Sequence, residues 1–417
     1  MRKEIPCRPW LVWWITATFY LYELVLRVSP SVMTEGLMSS FNATSTLIGI
    51  LVSFYYYSYT ILQLPCGIMI DKLGAKNLLL VSAFLCVLGS CLFASPEKIY
   101  IAQIGRFLIG AGSACAFVSC LQVATNLFTK KYFVILVGIT NVMGTLGGLL
   151  GGFPIAKSVN AIGWRNTTYV LAAIGLIIIA LVILFIPRSI KSISDDENTD
   201  SHSILRDVLN LIRNHQIVLS GVISGLMYLP ISAFAELWIV PYFMVKHGVN
   251  NEKASIAAAT IYIGIAVGSI VLAMAAKKLG GYMRTIRLAA LSTAIMFFAL
   301  IFGSNSIAIS LSIVFVIGFL TGAQPICFTC AKNNAVPSLS GTTIALTNCI
   351  IMLIGAVFQP ALGALLDTFW DGAITENGMR IYNISCHQFA ILTIPISLLV
   401  AYYISFFVKE TINLEDE

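Results

Sequence analysis

The sequence predicts an all-helical membrane fold of twelve transmembrane helices in two pseudo-symmetric six-helix bundles. Three observations predict it. The 417 residues are 58% hydrophobic and only 11% charged, with mean hydropathy +0.89, whereas soluble domains carry roughly 25% charged residues. Apolar runs long enough to cross a bilayer, about 20 residues each, recur along the chain between short polar or Gly/Pro-marked breaks. Short sequence matches also repeat at about half the chain length, the mark of duplicated structure.

Spans are expected at about residues 10 to 37, 44 to 70, 77 to 95, 99 to 127, 131 to 157 and 167 to 187. Six more follow at about 216 to 245, 253 to 276, 285 to 303, 306 to 331, 340 to 366 and 385 to 408. The one sizeable hydrophilic stretch lies between the two sets and carries Asp195, Asp196, Glu197, Asp200 and Asp207 with Arg188, Lys191, Arg206 and Arg213. The expected organisation is therefore an N-terminal bundle (1–187), a cytoplasmic linker (188–215) and a C-terminal bundle (216–417).

Lys/Arg asymmetry sets the expected orientation. With both termini cytoplasmic, seventeen basic residues fall on the cytoplasmic side and six on the other, leaving Arg27 and Arg106 inside spans. The first apolar stretch is too long for a signal-peptide core and lacks a small-residue cleavage site, so it is expected to remain in the protein. No low-complexity polar tract or extended basic block is present, which argues against a disordered chain or a nucleic-acid binder.

Most of the ten cysteines lie within spans, against a disulfide scaffold. The Cys327/Cys330 pair has a CxxC spacing, yet it lies within a helix without His or acidic companions and reads as small packing residues. His202, His215, His247 and His387 form no ligand set. The absence of GxxxxGK[ST] argues against a self-contained ATP-driven pump, and no nucleophile with its base stands out. The expectation is a non-enzyme that needs no cofactor.

Four matches support the repeat. Glu23-Leu24 returns as Glu236-Leu237, Lys72-Leu73-Gly74 as Lys278-Leu279-Gly280, Phe107-Leu108-x-Gly110-Ala111 as Phe319-Leu320-x-Gly322-Ala323, and Thr140-Asn141 as Thr347-Asn348. Their offsets are 213, 206, 212 and 207 residues. Parallel repeats of this kind place a substrate site near the membrane midplane.

GIMIDKLGAK, from Gly67 to Lys76, resembles the loop between helices 2 and 3 of the major facilitator superfamily, usually GxxxDRxGRR. RFLIGAGSA, from Arg106 to Ala114, resembles its RxxxGxGxA helix 4 motif. GTLGGLLGG, from Gly144 to Gly152, is similar to the Gly-rich helix 5 motif, but Gly148 replaces the proline typical of antiporters. The resemblance covers essentially the whole chain and implies the major facilitator fold, alternating access and a monomer. It also implies a gating role for Asp71, Lys72, Lys76 and Arg106, with the Asp71 position closing the cytoplasmic side against the start of helix 11. In the second repeat Lys277 stands where the first has Asp71.

A narrower resemblance lies in FYLYELVLRVSPSVM (Phe19 to Met33), in the FYYYSYTILQLPCG run ending at Gly67, and in AELWIVPYF (Ala235 to Phe243). These are similar to the phagosomal nutrient transporter group of intracellular bacteria, which implies import of amino acids or nucleosides across the bacterial inner membrane. Lysosomal dipeptide carriers and siderophore-uptake members share parts of the pattern.

Among the nineteen acids only Glu23 and Glu236 fall deep within spans, where an ionised group costs about 3 kcal/mol on the lenient insertion scale. Thr16, Tyr20, Glu23 and Arg27 form one polar stripe at helical spacing, expected to face the bundle interior. Glu23 and Arg27, four apart, are placed to pair. They read either as a closed salt bridge that orients the helix, or as an anion site at Arg27 with Glu23 meeting a substrate cation or a proton. Glu236 follows Tyr228 and Ser232 at spacing four, and burial without a basic neighbour on its helix favours the protonated acid. It is therefore a proton-coupling candidate alongside Glu23.

Tyr55 or Tyr56, Tyr59 and Gln63 share a face and offer rings and hydroxyls to an organic ligand. Gln122, Asn126, Asn141, Tyr262, Gln324 and Asn348 are further candidates, with helix-to-helix hydrogen bonding as the alternative. Repeat symmetry directs Asn141 and Asn348 toward the pore from opposite bundles. The expected function is proton-coupled import of a small organic nutrient such as an amino acid. The alternatives are a proton-driven drug or metabolite exporter, and nucleoside or siderophore uptake. The expected partners are a small-molecule substrate, protons and the lipid bilayer.

Overall fold

The computed structural model describes residues 9–95, 98–187, 208–276, 278–303, 306–336, 339–376 and 378–409. Most of the expected linker, 188–207, lies outside them, as do the side chains of Asp71 and Lys72. Among the described residues the secondary structure is helical apart from one isolated bridge, Ile374 to Arg380. Eleven stretches are long and apolar enough to cross a membrane. One of them, Ile135–Phe185, has 51 residues, about 75 Å at 1.5 Å per residue and more than two hydrocarbon crossings. It breaks at Gly152 and again at Gly163, whose φ is 81°, and so holds both crossings expected at 131 to 157 and 167 to 187. The chain is a multi-pass helical membrane protein.

The chain divides into two compact units, Met1–Pro30 with Phe54–Asn198, and Ser31–Ser53 with Thr199–Glu417. In the first unit α1 (Pro9–Val28) opens with proline, a residue suited to that position because its missing N–H would be unpaired there anyway. Pro30 disfavours helical geometry in the residue before it. Helix α4 (Ile99–Ser113) and α5 (Ala116–Leu127) share one expected span, and α6 (Lys130–Gly151) and α7 (Phe153–Phe185) follow. The glycine-rich motif on α6 packs against α1, where a Cβ at Gly147 would lie 2.5 Å from the Leu21 carbonyl oxygen.

Helix α2 (Thr34–Phe41) belongs to the second unit, and α3 (Ser45–Ala94) begins there. Helix α3 is two helices that meet at Gly74, whose φ of 73° and ψ of 159° are not helical. Its apolar stretches Ser45–Cys66 and Leu73–Ala94 answer to the second and third expected spans, with the motif at their junction.

The rest of the second unit comprises α8 (His215–Leu229), a π-helical segment (Pro230–Trp238), α9 (Ile239–His247), α10 (Asn251–Ala275), α11 (Tyr282–Phe302), α12 (Ile307–Thr321), α13 (Ile326–Asn333), α14 (Ser340–Thr368), α15 (Ile384–Ile391) and α16 (Thr393–Ile404). Asn214, Asn250 and Asn383 cap α8, α10 and α15, each side chain accepting a backbone N–H of the first turn. Three expected continuous spans are broken by proline. Pro230, Pro325 and Pro395 each remove the N–H that would bond the carbonyl four residues earlier, and the chain changes helix type or restarts beside them.

The repeat has a structural counterpart. A Cβ on Gly110 would lie 2.1 Å from the Tyr55 carbonyl oxygen, and one on Gly322 would lie 2.4 Å from the Ser269 nitrogen and 2.5 Å from the Gly268 carbonyl carbon. Each glycine lets a helix of its own unit touch a neighbouring backbone, α3 in the first case and α10 in the second.

Candidate substrate and coupling sites

The polar stripe of α1 is inside the first unit. Glu23 is 1% exposed and Arg27 5%. Tyr55 on α3 donates its hydroxyl to Glu23 Oε2 at 2.8 Å, and Arg27 Nη2 donates to the Tyr56 hydroxyl oxygen at 3.0 Å. The Arg27 guanidinium also lies 4.9 Å from the Tyr56 ring centroid and 5.7 Å from that of Tyr55. Tyr59 stacks on Tyr55 at 5.9 Å. In a low-dielectric interior such contacts hold a cation that water does not reach.

Arg106 joins this cluster from α4. Its Nη1 donates to the Leu26 carbonyl at 2.9 Å, and its guanidinium lies 5.1 Å from the Tyr55 ring centroid and 5.8 Å from that of Phe93. Leu26 is available for a local reason. Its carbonyl would normally bond the amide four residues on, but that residue is Pro30, which has none. The Ser29 hydroxyl takes up the same oxygen at 3.1 Å. One carboxylate, two guanidiniums and three tyrosines are thus gathered by α1, α3 and α4.

The other candidates of this unit are less buried than that core. Tyr20 is half-buried, packed on Phe117 at 5.4 Å and beside Gly144. Gln63 is half-buried, with Oε1 buried and without a hydrogen-bond partner. Gln122 and Asn126 are half-buried on α5. Asn141 is exposed and turns its amide back to the Val137 carbonyl at 3.1 Å. Of the residues with an implied gating role, Lys76 donates to the Ile183 carbonyl at 2.8 Å, while Arg106 sits beside the Leu26 carbonyl and the Tyr55 ring.

In the second unit Glu236 lies on the π segment, all nine residues of which are buried. The Ile239 amide donates to the Phe234 carbonyl, a five-residue step that marks the wider helix. Tyr228, half-buried, offers its carbonyl to the Ser232 hydroxyl at 3.3 Å. Tyr262 is buried on α10. Gln324 is buried and donates to the Ser224 hydroxyl at 2.7 Å. Asn348 is half-buried on α14.

Gln359 was not anticipated, although a lone amide before a proline in an apolar helix is a readable sign. It is 0% exposed, donates from Nε2 to the Ser232 carbonyl at 2.7 Å and accepts the Trp238 indole N–H at its own carbonyl at 3.3 Å.

A disulfide was equally unanticipated. Cys66 on α3 is bonded to Cys115 at the junction of α4 and α5. Cys327 and Cys330 are both buried. Among the described residues no group of His, Cys, Asp or Glu is arranged to hold a metal ion.

Glu23, Arg27, Arg106 and Glu236 are ionisable side chains buried in a helical multi-pass scaffold. The chain belongs to the Major Facilitator Superfamily, whose sequence profile matches residues 14–369, and this sets it among transporters rather than enzymes. It is 26% identical over 176 residues to the probable sulfoacetate transporter of Cupriavidus necator, covering 42% of this chain and 41% of that one. It is 22% identical over 259 residues to the hexuronate transporter of Bacillus subtilis, covering 60% and 61%. The matched region thus spans about two fifths of the first relative and three fifths of the second. The crystal structure of a D-xylose-proton symporter superposes with TM-score 0.73 at 16% identity, covering 96% of this chain and 97% of that one.

Proposed function

We propose that the protein is a secondary active transporter that imports a small carboxylate-bearing nutrient, such as an amino acid, together with protons. The observation that carries this reading is the buried cluster of Glu23, Arg27, Tyr55, Tyr56 and Arg106. A guanidinium presents a planar fork that matches a carboxylate, and the tyrosine rings around it suit the organic body of such a ligand. Glu23 then answers a substrate ammonium or carries a proton, and Glu236 carries the coupling proton. The names of the sulfoacetate and hexuronate transporters, both concerned with organic acids, support an anion-binding site.

Transport proceeds by alternating access between an N-terminal and a C-terminal bundle, with Asp71, Lys72 and Lys76 in gating. The protein acts as a monomer in the bacterial inner membrane with both termini cytoplasmic.

The test uses purified protein in pH-clamped liposomes that contain a pH dye. Pooled amino acids, then pooled nucleosides, are added to wild type, Arg27→Ala and Glu236→Gln. The expected result is proton influx with amino acids that is lost in Arg27→Ala, through loss of substrate, and in Glu236→Gln, through loss of coupling. Silence toward both pools with a response only to amphipathic drugs overturns the importer reading in favour of an exporter.

A further inference from the structure

We infer that Gln359 is a positioning residue for Glu236: two hydrogen bonds to this one residue of α14 bracket the π segment and fix where its carboxyl is held. The inference deepens the proposed function and rests on the reading of Glu236 as the coupling acid.

A π-helix is normally a single-turn interruption, and longer runs are rare and concentrated at functional sites. Nine residues in this geometry, Pro230–Trp238, need support from outside the helix. Gln359 supplies it at two places. Its Nε2 donates to the Ser232 carbonyl, on the N-terminal side of Glu236. Its backbone carbonyl accepts the Trp238 indole N–H, on the C-terminal side. Ser232, Glu236, Trp238 and Gln359 are all buried, at 0%, 1%, 2% and 0% exposure, so water does not compete for either bond.

A Cβ on Gly49 of α3 would lie 2.6 Å from the Gln359 carbonyl oxygen, so the two helices approach closely at this point. Pro360 follows within α14, and its missing N–H and its ring both perturb the helix there. The Gln359 Oε1 is buried without a hydrogen-bond partner. An amide kept in an apolar helix with its oxygen unsatisfied is costly as packing alone. Its retention accords with a task beyond packing.

The test compares wild type, Gln359→Met, Trp238→Phe, the double variant and Glu236→Gln, as full-length protein in liposomes with pooled amino acids as the probe. Gln359→Met keeps the length of the side chain and loses its donor, while Trp238→Phe keeps an aromatic ring and loses the other bond. Each is expected to reduce proton influx by about fivefold while leaving counterflow of labelled amino acids within about twofold of wild type. The double variant falls no further than the weaker single, because both bonds serve one segment. Hydrogen exchange of the 233–238 amides rises about tenfold in both single variants.

Influx and counterflow that fall in parallel, or unchanged exchange in this segment, overturn the inference. If Glu236→Gln abolishes influx while Gln359→Met and Trp238→Phe leave it intact, the coupling reading stands and the positioning role falls. If Glu236→Gln leaves influx intact, the coupling reading is lost and the positioning role with it. The exchange measurement decides whether the bracket exists even where the amino acid pool is inert.

Discussion

The Asp367 carboxylate sits at the N-terminus of α3, where its Oδ2 accepts the Thr46 amide at 2.9 Å. The Thr46 and Tyr382 hydroxyls donate to the same carboxylate, and Arg380 Nη1 pairs with its Oδ1 at 3.2 Å. An acid from the end of α14 thus does for α3 what an N-cap side chain normally does within its own helix, at the end where the helix dipole favours a negative charge.

Asp367→Ala is therefore expected to lower the melting temperature of the detergent-solubilised protein, at a cost of about 1–3 kcal/mol for stranded donors. A melting curve that coincides with that of wild type would show that solvent replaces the carboxylate without loss.

Gly110 and Gly322 should both resist substitution. A methyl group at either position meets backbone, and overpacking of this kind costs about 1–3 kcal/mol. Gly138 has no atom within 4 Å of an added Cβ, and alanine has the higher helix propensity. Gly110→Ala and Gly322→Ala are expected to melt below wild type and Gly138→Ala at or above it. Equal melting temperatures for all three would refute the close contacts.

The Cys66–Cys115 bond closes a stretch of 49 residues. In the chain-entropy account such a loop stabilises by roughly 4 kcal/mol. Membrane-permeant reductant, or the double substitution of both cysteines by serine, is expected to lower the thermal midpoint. Alkylation of unreduced protein followed by mass spectrometry checks the premise, because labelling at Cys66 or Cys115 would show free thiols.

The loop between α14 and α15 carries a pH-dependent turn. Asp371 is exposed, and the Ala373 amide at 3.1 Å and the Asn383 side-chain amide at 2.7 Å hold its carboxyl below the usual carboxylate range. Since the folded pKa is the lower one, the stabilisation is complete above the unfolded value of about 3.9 and is lost as pH falls through the folded value. Ala373 amide exchange, corrected for its intrinsic rate, is expected to accelerate on acidification in wild type and to be fast at every pH in Asp371→Ala. A flat wild-type profile would contradict the assignment.

How much of this was legible depended on the scale of the feature. The membrane class follows from apolar runs, and the stripe of Thr16, Glu23 and Arg27 follows from helical spacing, because both are properties of one segment. The partner of Arg106 is not such a property. Its motif resembles a gating element, whereas the guanidinium meets a carbonyl on α1 left open by Pro30, a pairing between segments eighty residues apart. The π segment is hidden for another reason, since the same residues serve an α- or a π-helix and only contacts such as those of Gln359 separate the two. Cysteine spacing likewise drew attention to Cys327 and Cys330, whereas the bonded pair, Cys66 and Cys115, has no local signature.

The matched backbone contacts at Gly110 and Gly322 have an evolutionary reading. A helix-to-helix seam present in both halves, while Asp71 of the first repeat stands against Lys277 of the second, separates what the two copies share from what distinguishes them. Tolerance to substitution, scanned through one half, should then forecast the other at an offset of 212 residues along the shared seam. It should fail to do so where the copies diverged, and those failures would outline the asymmetric parts of the machine whatever its cargo.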